Sequence, residues 1–153
     1  MAYDPLERAA KAARMEQTVR DYFAACNTGD VDAIAAFFAP DGVHYFPPDM
    51  YDGPFRGGRA IGEKWAWAVA TLGSRWTVDT FIADPDTDRA VIEWTHEKRA
   101  VGVVLRGDEW YHFDPGSGLI AEIRAYYASP QAAQVERLEL GGFPYQERGY
   151  AAT

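Results

Sequence analysis

Residues 89–127, RAVIEWTHEKRAVGVVLRGDEWYHFDPGSGLIAEIRAYY, decide the fold class because their side chains alternate between apolar and polar. A period of two is typical of strands that bury one face. Turn residues at 84–86 and 114–118 interrupt the pattern, and the same period extends upstream to residue 76. We therefore predict an antiparallel meander of four strands joined by short turns, over residues 76–83, 89–98, 101–113 and 119–127.

The residues before this meander follow a helical period instead. Apolar side chains recur at spacings of three and four between Ala12 and Cys26, which predicts a helix that begins at Asp4-Pro5 and ends near Asn27. The next elements predicted are a short helix over 31–39, a short strand over 43–46, a third helix through 61–72 and, after the meander, a short helix that ends near residue 140.

This order of elements predicts an α+β fold. We expect a cone-shaped, strongly curved antiparallel sheet that wraps on three N-terminal helices and leaves a cavity between them. Residues 1–140 are predicted to form one domain, since a chain of about 150 residues builds a single core. Residues 141–153 form a tail with apolar anchors at 143–145 and 150, which we expect either to cover the cavity as a lid or to extend a dimer contact.

The charge balance and the cysteine content exclude several classes of function. Fifteen Lys and Arg against 23 Asp and Glu give a net charge of −8, which opposes binding to nucleic acids and to anionic membranes. The single cysteine, Cys26, excludes an intrachain disulfide, and without a signal-peptide pattern or a long apolar run we expect a cytoplasmic protein with no membrane partner. No His-x-His or His-x-x-x-His spacing occurs, so we expect neither a metal site nor a cofactor.

Several short motifs add a family resemblance to these patterns. Tyr22-Phe23-Ala24-Ala25 runs into Gly29-Asp30, Gly57 to Ile61 form a Gly-x-x-x-Ile entry to the third helix, and 113–127 is similar to a closing hairpin. Over about residues 12–130 the chain resembles the nuclear-transport-factor-2-like superfamily, in particular its SnoaL-like and ketosteroid-isomerase-like branches. The resemblance implies the cone-shaped fold, and activities that range over isomerases, dehydratases, cyclases, epoxide hydrolases and non-catalytic binders.

The resemblance also implies roles for individual residues. Tyr22 matches the tyrosine that donates a hydrogen bond to the enolate oxygen in the isomerases, and Glu109 matches the protonated carboxylic acid that is the second donor. The position of the isomerase base is Phe46, the position of the epoxide-hydrolase aspartate is Ala125, and the dehydratase histidine falls near Gly73. Each of these three mechanisms therefore lacks one member.

Strand parity supplies further polar candidates. His44 shares the face of Phe46 and is a candidate general base if that face lines the cavity. On the long strand that follows the first turn, either His96 with Trp94 or Glu93 faces inward, and the sequence leaves both arrangements open. For each histidine the alternative is a structural role within the sheet.

The aromatic residues that face the predicted cavity are candidates for contact with a ligand, with plain core packing as the alternative. The predicted substrate-binding residues are Phe46, Trp65, Trp76, Glu93, Trp94, Tyr111 and Tyr127, and the predicted catalytic residues are Tyr22, Glu109, His44 and His96.

Two functions of different classes fit these features. The first is a small cofactor-independent enzyme that uses acid/base chemistry on an apolar cyclic or aromatic substrate, as an isomerase, a lyase or dehydratase, or a cyclase. The second is a non-catalytic protein that binds a small hydrophobic ligand. In either case we expect a homodimer through the outer face of the sheet, which carries Trp110, His112, Arg124 and Tyr126.

Overall fold

The computed structural model describes residues 4–48, 51–127 and 141–149, and the short helix predicted to end near residue 140 lies outside these ranges. The strands form one curved, unclosed sheet in the order β2-β1-β6-β5-β4-β3, so the predicted α+β fold is confirmed. The elements are α1 Pro5–Thr28, α2 Val31–Ala35, β1 Phe38–Tyr45, β2 Phe55–Arg56, α3 Gly58–Leu72, β3 Ser74–Asp84, β4 Arg89–Lys98, β5 Val103–Phe113 and β6 Ile120–Tyr127.

Helix α1 has the bounds that its capping residues predict. The side chain of Asp4 accepts a hydrogen bond from the backbone N–H of Leu6 at 3.4 Å, and Pro5 occupies the first helical position. Gly29 ends the helix in the left-handed conformation, at a φ of 70°, and its N–H donates to the carbonyl of Cys26. Among the helices of the described ranges, none has the length and hydropathy needed to cross a bilayer.

The predicted second helix is too long, because Phe38 and Ala39 belong to strand β1. The N–H of Ile120 donates to the carbonyl of Phe37 at 2.8 Å, and Phe38 lies opposite Ile120 in the sheet. Long-range strand pairing therefore overrides the local helical pattern. Pro40, which has no N–H to donate, is tolerated because the register of β1 shifts between Phe38 and Val43.

The sheet is not wholly antiparallel, which corrects the prediction. Strand β1 runs parallel to β6, with His44 opposite Ile123 and Tyr45 opposite Arg124, whereas the other four pairs of strands are antiparallel. A parallel pair needs a long connection. Here α3 and the β3–β5 meander lie between the two strands in sequence, so the connection is available.

Strands β4 and β5 bury alternate residues, which gives the sheet an inner face towards α1 and α3. Trp94 and His96 on β4, and Glu109 and Tyr111 on β5, are all buried, with exposed fractions of 8% or less. Their neighbours in sequence point to the opposite, outer face. The sequence predicts its hollow in the space between this inner face and the two long helices, and we call this space the hollow below.

The described part of the tail packs on the outer face of the sheet. Phe143 contacts the ring of Tyr45 at a centroid distance of 5.1 Å, and Arg148 forms an ion pair with Glu122. The N–H of Gly141 donates to the carbonyl of Phe46 at 2.7 Å, at the end of β1. Residues 143–148 therefore extend the apolar surface of β1 and β6, while the lid and the dimer contact stay predictions.

Gly107 is required where β4 and β5 face each other, because the indole of Trp94 occupies the space of its missing side chain. A Cβ at this position would lie 2.5 Å from Cζ2 of Trp94 and would also overlap the carbonyl oxygen of Tyr126. Both neighbours belong to the sheet, one as backbone and the other as a fully buried ring, so neither can move freely.

We expect Gly107→Ala to lower the free energy of unfolding by on the order of 2 kcal/mol, because the methyl group overpacks the core. Gly116→Ala is the matched control, since its Cβ would meet only Asp114 Oδ2, at 3.4 Å. Urea denaturation of both variants measures the difference. Equal unfolding midpoints for Gly107→Ala and the wild type would contradict the packing described here.

Candidate functional site

A small cavity lies between α1, α3 and the inner face of the sheet. The space open to the centre of a water molecule is about 10 Å³, enough for roughly one water. A ring-sized ligand therefore requires the aromatic walls to move apart. The residues that line the cavity are Tyr22, Phe23, Cys26, Trp65, Trp76 and Glu109.

Tyr22 reaches the cavity from the buried side of α1. Its hydroxyl oxygen accepts a hydrogen bond from Trp65 Nε1 at 2.8 Å, which joins α1 to α3. Burial raises the pKa of Tyr22 well above its ordinary value, and the nearby Cys26 and Glu109 raise it further. The phenol therefore keeps its proton at neutral pH and can act as a hydrogen-bond donor.

Glu109 lies on the cavity wall opposite α1 and is only 8% exposed. One carboxylate oxygen, Oε2, accepts a hydrogen bond from the hydroxyl of Tyr111 at 2.5 Å. Tyr22 and Glu109 thus line the same cavity, but each has its own hydrogen-bond partner on the protein. Tyr111 holds Glu109 in place, and its predicted contact with a ligand stays a prediction.

His44 is completely buried on the inner face of β1. Its ring stacks on Phe46 at a centroid distance of 4.1 Å and meets Trp65 edge-on at 5.5 Å. Nε2 of His44 lies 3.5 Å from Glu109 Oε1, which is close enough for an ion pair when the ring is protonated but too far for a good hydrogen bond. Neither ring nitrogen hydrogen-bonds to any residue that the structure describes.

The sheet register explains how His44 and Glu109 meet although another strand, β6, separates their strands. On β6, Ile123 lies between His44 and Tyr111, and Ala125 lies opposite Glu109. Because Ala125 has only a methyl group, the longer side chain of Glu109 extends over β6 towards β1. The position that resembles the epoxide-hydrolase aspartate therefore provides space rather than a carboxylate.

His96 and Trp94, not Glu93, occupy the inner face of β4. Nε2 of His96 hydrogen-bonds with Ser74 Oγ at 2.8 Å, and its ring stacks on Trp76 at 4.5 Å. Burial, with a smaller contribution from the charge of Lys98, lowers the pKa of His96 to about 3. A histidine that stays neutral down to such a pH is a poor general base near pH 7, so its surroundings favour a structural role.

Glu93 points to the outer face, which corrects the expectation that it lines the cavity. Its carboxylate forms an ion pair with Arg106 at 2.9 Å, and its side chain is 54% exposed. Two alternating sets of residues on β4 each contained a polar candidate, and parity alone could not distinguish them. Of the remaining predicted aromatic residues, Tyr127 contacts Trp94 edge-on at 5.0 Å on the inner face.

The sequence interpretation missed two residues of the cavity wall, Phe23 and Cys26. Cys26 follows Tyr22 by four residues on α1, so the helical period already placed both side chains on one face. This four-residue spacing is the sequence feature that could have predicted Cys26 as a residue of the cavity wall.

The histidines and carboxylates do not form a metal site in the described part of the chain. Both Glu-x-x-His sequences, Glu93 to His96 and Glu109 to His112, lie in strands, where residues three apart point to opposite faces. No three potential ligands of the described residues come together at one point.

The resemblance to the SnoaL-like proteins is supported by a match to a known family. A family model described as the SnoaL-like domain matches residues 19–133, which is most of the chain. The chain belongs to the SnoaL-like family. No curated protein matches this SnoaL-like chain.

Solved structures agree with the SnoaL-like fold. A protein of unknown function with a cystatin-like fold from Methylobium petroleophilum PM1 is 52% identical, with a TM-score of 0.87, and the match covers 92% of this chain and 93% of that one. The epoxide hydrolase/cyclase-like enzyme SalBIII, with a role in pyran ring formation in the polyether salinomycin, is 20% identical over 75% of this chain and 91% of its own, with a TM-score of 0.60. A candidate polyketide cyclase from Sinorhizobium meliloti is 23% identical, with a TM-score of 0.56, and the match covers 71% of this chain and 93% of that one.

The depressed pKa of His96 predicts a loss of stability in acid. The unfolded chain protonates this histidine near pH 6.5, whereas the folded chain does so only near pH 3. The stabilisation is therefore complete above pH 6.5 and is lost as the pH falls from 6.5 towards 3. Between pH 7.5 and 5.0 we expect the wild type to lose about 2 kcal/mol more unfolding free energy than His96→Gln.

Urea denaturation at both pH values measures this difference. His112→Gln is the control, because His112 lies on the outer face and is only half-buried. The control should lose as much stability as the wild type. If His96→Gln also loses as much, the neutral buried state of His96 is not the cause.

Proposed function

We propose that this SnoaL-like protein is a small, cofactor-independent enzyme that uses acid/base chemistry on an apolar cyclic or aromatic substrate in the hollow. The observation that carries the proposal is His44, which is fully buried, lacks a hydrogen-bond partner among the described residues and lies 3.5 Å from the carboxylate of Glu109. Buried polar groups are usually paired, and an unpaired one needs an explanation such as a catalytic role.

Each polar group of the site has a role in this chemistry. His44 removes a proton from the carbon next to a carbonyl group of the substrate. Glu109, held by the hydroxyl of Tyr111, balances the positive charge that the imidazole ring then carries. Tyr22 donates its hydrogen bond to the substrate oxygen on which negative charge develops.

The fate of the proton and of the carbanion defines the reaction type. Return of the proton from His44 to a different carbon completes an isomerisation. Departure of a β-hydroxyl group as water, with that proton, completes a dehydration, and attack on a second carbonyl group, whose oxygen then takes the proton, closes a ring. The fold relatives include an epoxide hydrolase/cyclase-like enzyme and a candidate polyketide cyclase, at identities of 20% and 23%. Since such identities support the fold alone, the choice among these reactions rests on the site.

The alternative is a non-catalytic protein that binds a small hydrophobic ligand. The presence of Phe46 at the position of the isomerase base favours this alternative. Binding without turnover would need the same opening of the aromatic walls, but it would not need Tyr22 as a donor or His44 as a base.

We also propose that two copies associate through the outer face of the sheet. Ile82, Val91 and Trp110 are consecutive cross-strand neighbours there, and Ile82 and Trp110 are 63% and 42% exposed. The row continues through Arg124 to Tyr45, which Phe143 covers. Exposed apolar side chains at neighbouring positions, as Ile82 and Trp110 are in this row, are typical of a contact surface.

We expect the wild type to be a dimer at micromolar concentration and Trp110→Glu to be a monomer, because the substitution places charge at the centre of the row. Val101→Glu is the control, since Val101 is 55% exposed in the turn after β4, outside the row. Light scattering measures the mass of each variant. A monomeric wild type would exclude the proposed association.

Acid/base catalysis is tested by hydrogen exchange at carbon, which does not require the natural substrate. The probe is 1-indanone in D₂O, and proton NMR follows the loss of the signal next to its carbonyl group. We expect the wild type to accelerate exchange, His44→Gln to lose at least about 100-fold of the acceleration, and Tyr22→Phe to lose about 100-fold.

Tyr45→Phe is the matched control, because Tyr45 is buried on the outer face beside His44 and should leave the exchange rate unchanged. Binding of 1-indanone without accelerated exchange would replace the enzyme with the binding protein. Equal rates for the wild type and both site variants would exclude the roles given to His44 and Tyr22.

A further inference from the structure

Two lysines converge on the ring of Tyr51 at the edge of the aromatic cluster that surrounds the cavity. The Nζ atoms of Lys64 and Lys98 lie 4.9 Å and 6.0 Å from its centroid. Tyr51 in turn contacts Phe46 at 5.0 Å and Trp65 at 6.3 Å. A positive charge at Lys98 is therefore one aromatic ring away from the cavity wall formed by Trp65.

Lys98 occupies the last position of β4 on its inner face, in line with Trp94 and His96. Its side chain is half-buried, and the loss of hydration lowers the pKa of its ammonium group. The same charge reaches far enough inward to contribute to the low pKa of His96. The charge of Lys98 therefore acts on groups that face the hollow rather than on the outer surface.

Lys98 has no carboxylate partner among the residues that the structure describes. Acidic residues outnumber basic ones in the chain by 23 to 15, and several cations have a carboxylate partner, as Lys11 has in Asp88 at 2.7 Å. A partly dehydrated ammonium group without a counter-ion is costly. An anion beside Lys98 would therefore gain more binding free energy than an anion beside a fully hydrated surface lysine.

We propose that the ligand of the hollow is an apolar ring that carries a carboxylate, and that Lys98 binds this carboxylate while the ring is inserted between Trp65 and Trp76. The inference rests on the proposed function and names the substrate class of the same site. Because the net charge of −8 repels anions at a distance, a local cation is needed to accept a carboxylate at this point.

The test compares two probes of nearly equal shape, 2-naphthoate and the neutral 2-naphthamide, by calorimetric titration at low ionic strength. We expect the wild type to bind 2-naphthoate about 10-fold more tightly than 2-naphthamide, and we expect this ratio of affinities to decrease as salt is added. Lys98→Met should remove this preference without weakening 2-naphthamide, and Lys98→Arg, which retains the charge, should keep it.

Arg99→Gln is the matched control, because Arg99 is exposed and paired with Glu97 at 2.8 Å, and it should keep the wild-type preference. Equal affinity of the wild type for both probes, or a preference that survives in Lys98→Met, would overturn the role of Lys98. Accelerated exchange of 1-indanone would then still support the acid/base proposal. Binding of neither probe would overturn the ligand class and the hollow as a binding site together.

Discussion

The parallel pairing of β1 with β6 is the constraint on which the hollow depends. The two strands are separated by α3 and the whole of β3 to β5, so their pairing closes a long loop of chain. The entropy cost of such a closure grows slowly with loop length, and the buried residues of β1 offset it. Without this pair, His44 and Phe46 would have no sheet to join, and the hollow would lack one wall.

Within that hollow, the protein pairs polar groups with each other, both between helices and within one strand. Trp65 on α3 donates to Tyr22 on α1, and Tyr111 on β5 donates to Glu109 two residues before it. Groups that are fixed in this way need little rearrangement when charge develops beside them. His44 has no hydrogen-bond partner in the part of the chain that the structure describes, and a buried unsatisfied nitrogen costs about 1–3 kcal/mol of stability. If His44 is the base that we propose, this loss of stability accompanies its function, as is common at functional sites.

Local patterns in the sequence predicted the strands of the meander and the bounds of α1 well, because turn residues and caps act over a few positions. They failed where a distant partner decides the structure. Phe38 follows a helical pattern but joins β1 because Ile120 pairs with it. The parallel direction of β1 and the two-residue strand β2 have no local signal at all.

The site was predictable to the same extent. Resemblance and parity predict Tyr22, Glu109 and His44; Tyr22 and Glu109 line one cavity, and His44 lies 3.5 Å from Glu109, while their catalytic roles stay predictions. The sequence does not predict the hydrogen-bond partner of Tyr22, because the contact between Trp65 and Tyr22 depends on how α1 and α3 pack. The choice between His96 and Glu93 depended on which face of β4 meets the helices, and both sets of alternating residues contained polar and apolar members.

Chemical labelling of Cys26 can report on the opening of the hollow. Its thiol lies on the cavity wall one helical turn after Tyr22, and burial raises its pKa, so reactive thiolate is scarce while the walls are closed. An alkylating reagent can reach it only during the openings that also admit a ring-sized molecule. The rate of alkylation of this single cysteine therefore reports how often the aromatic walls open. A bound ligand should lower this rate.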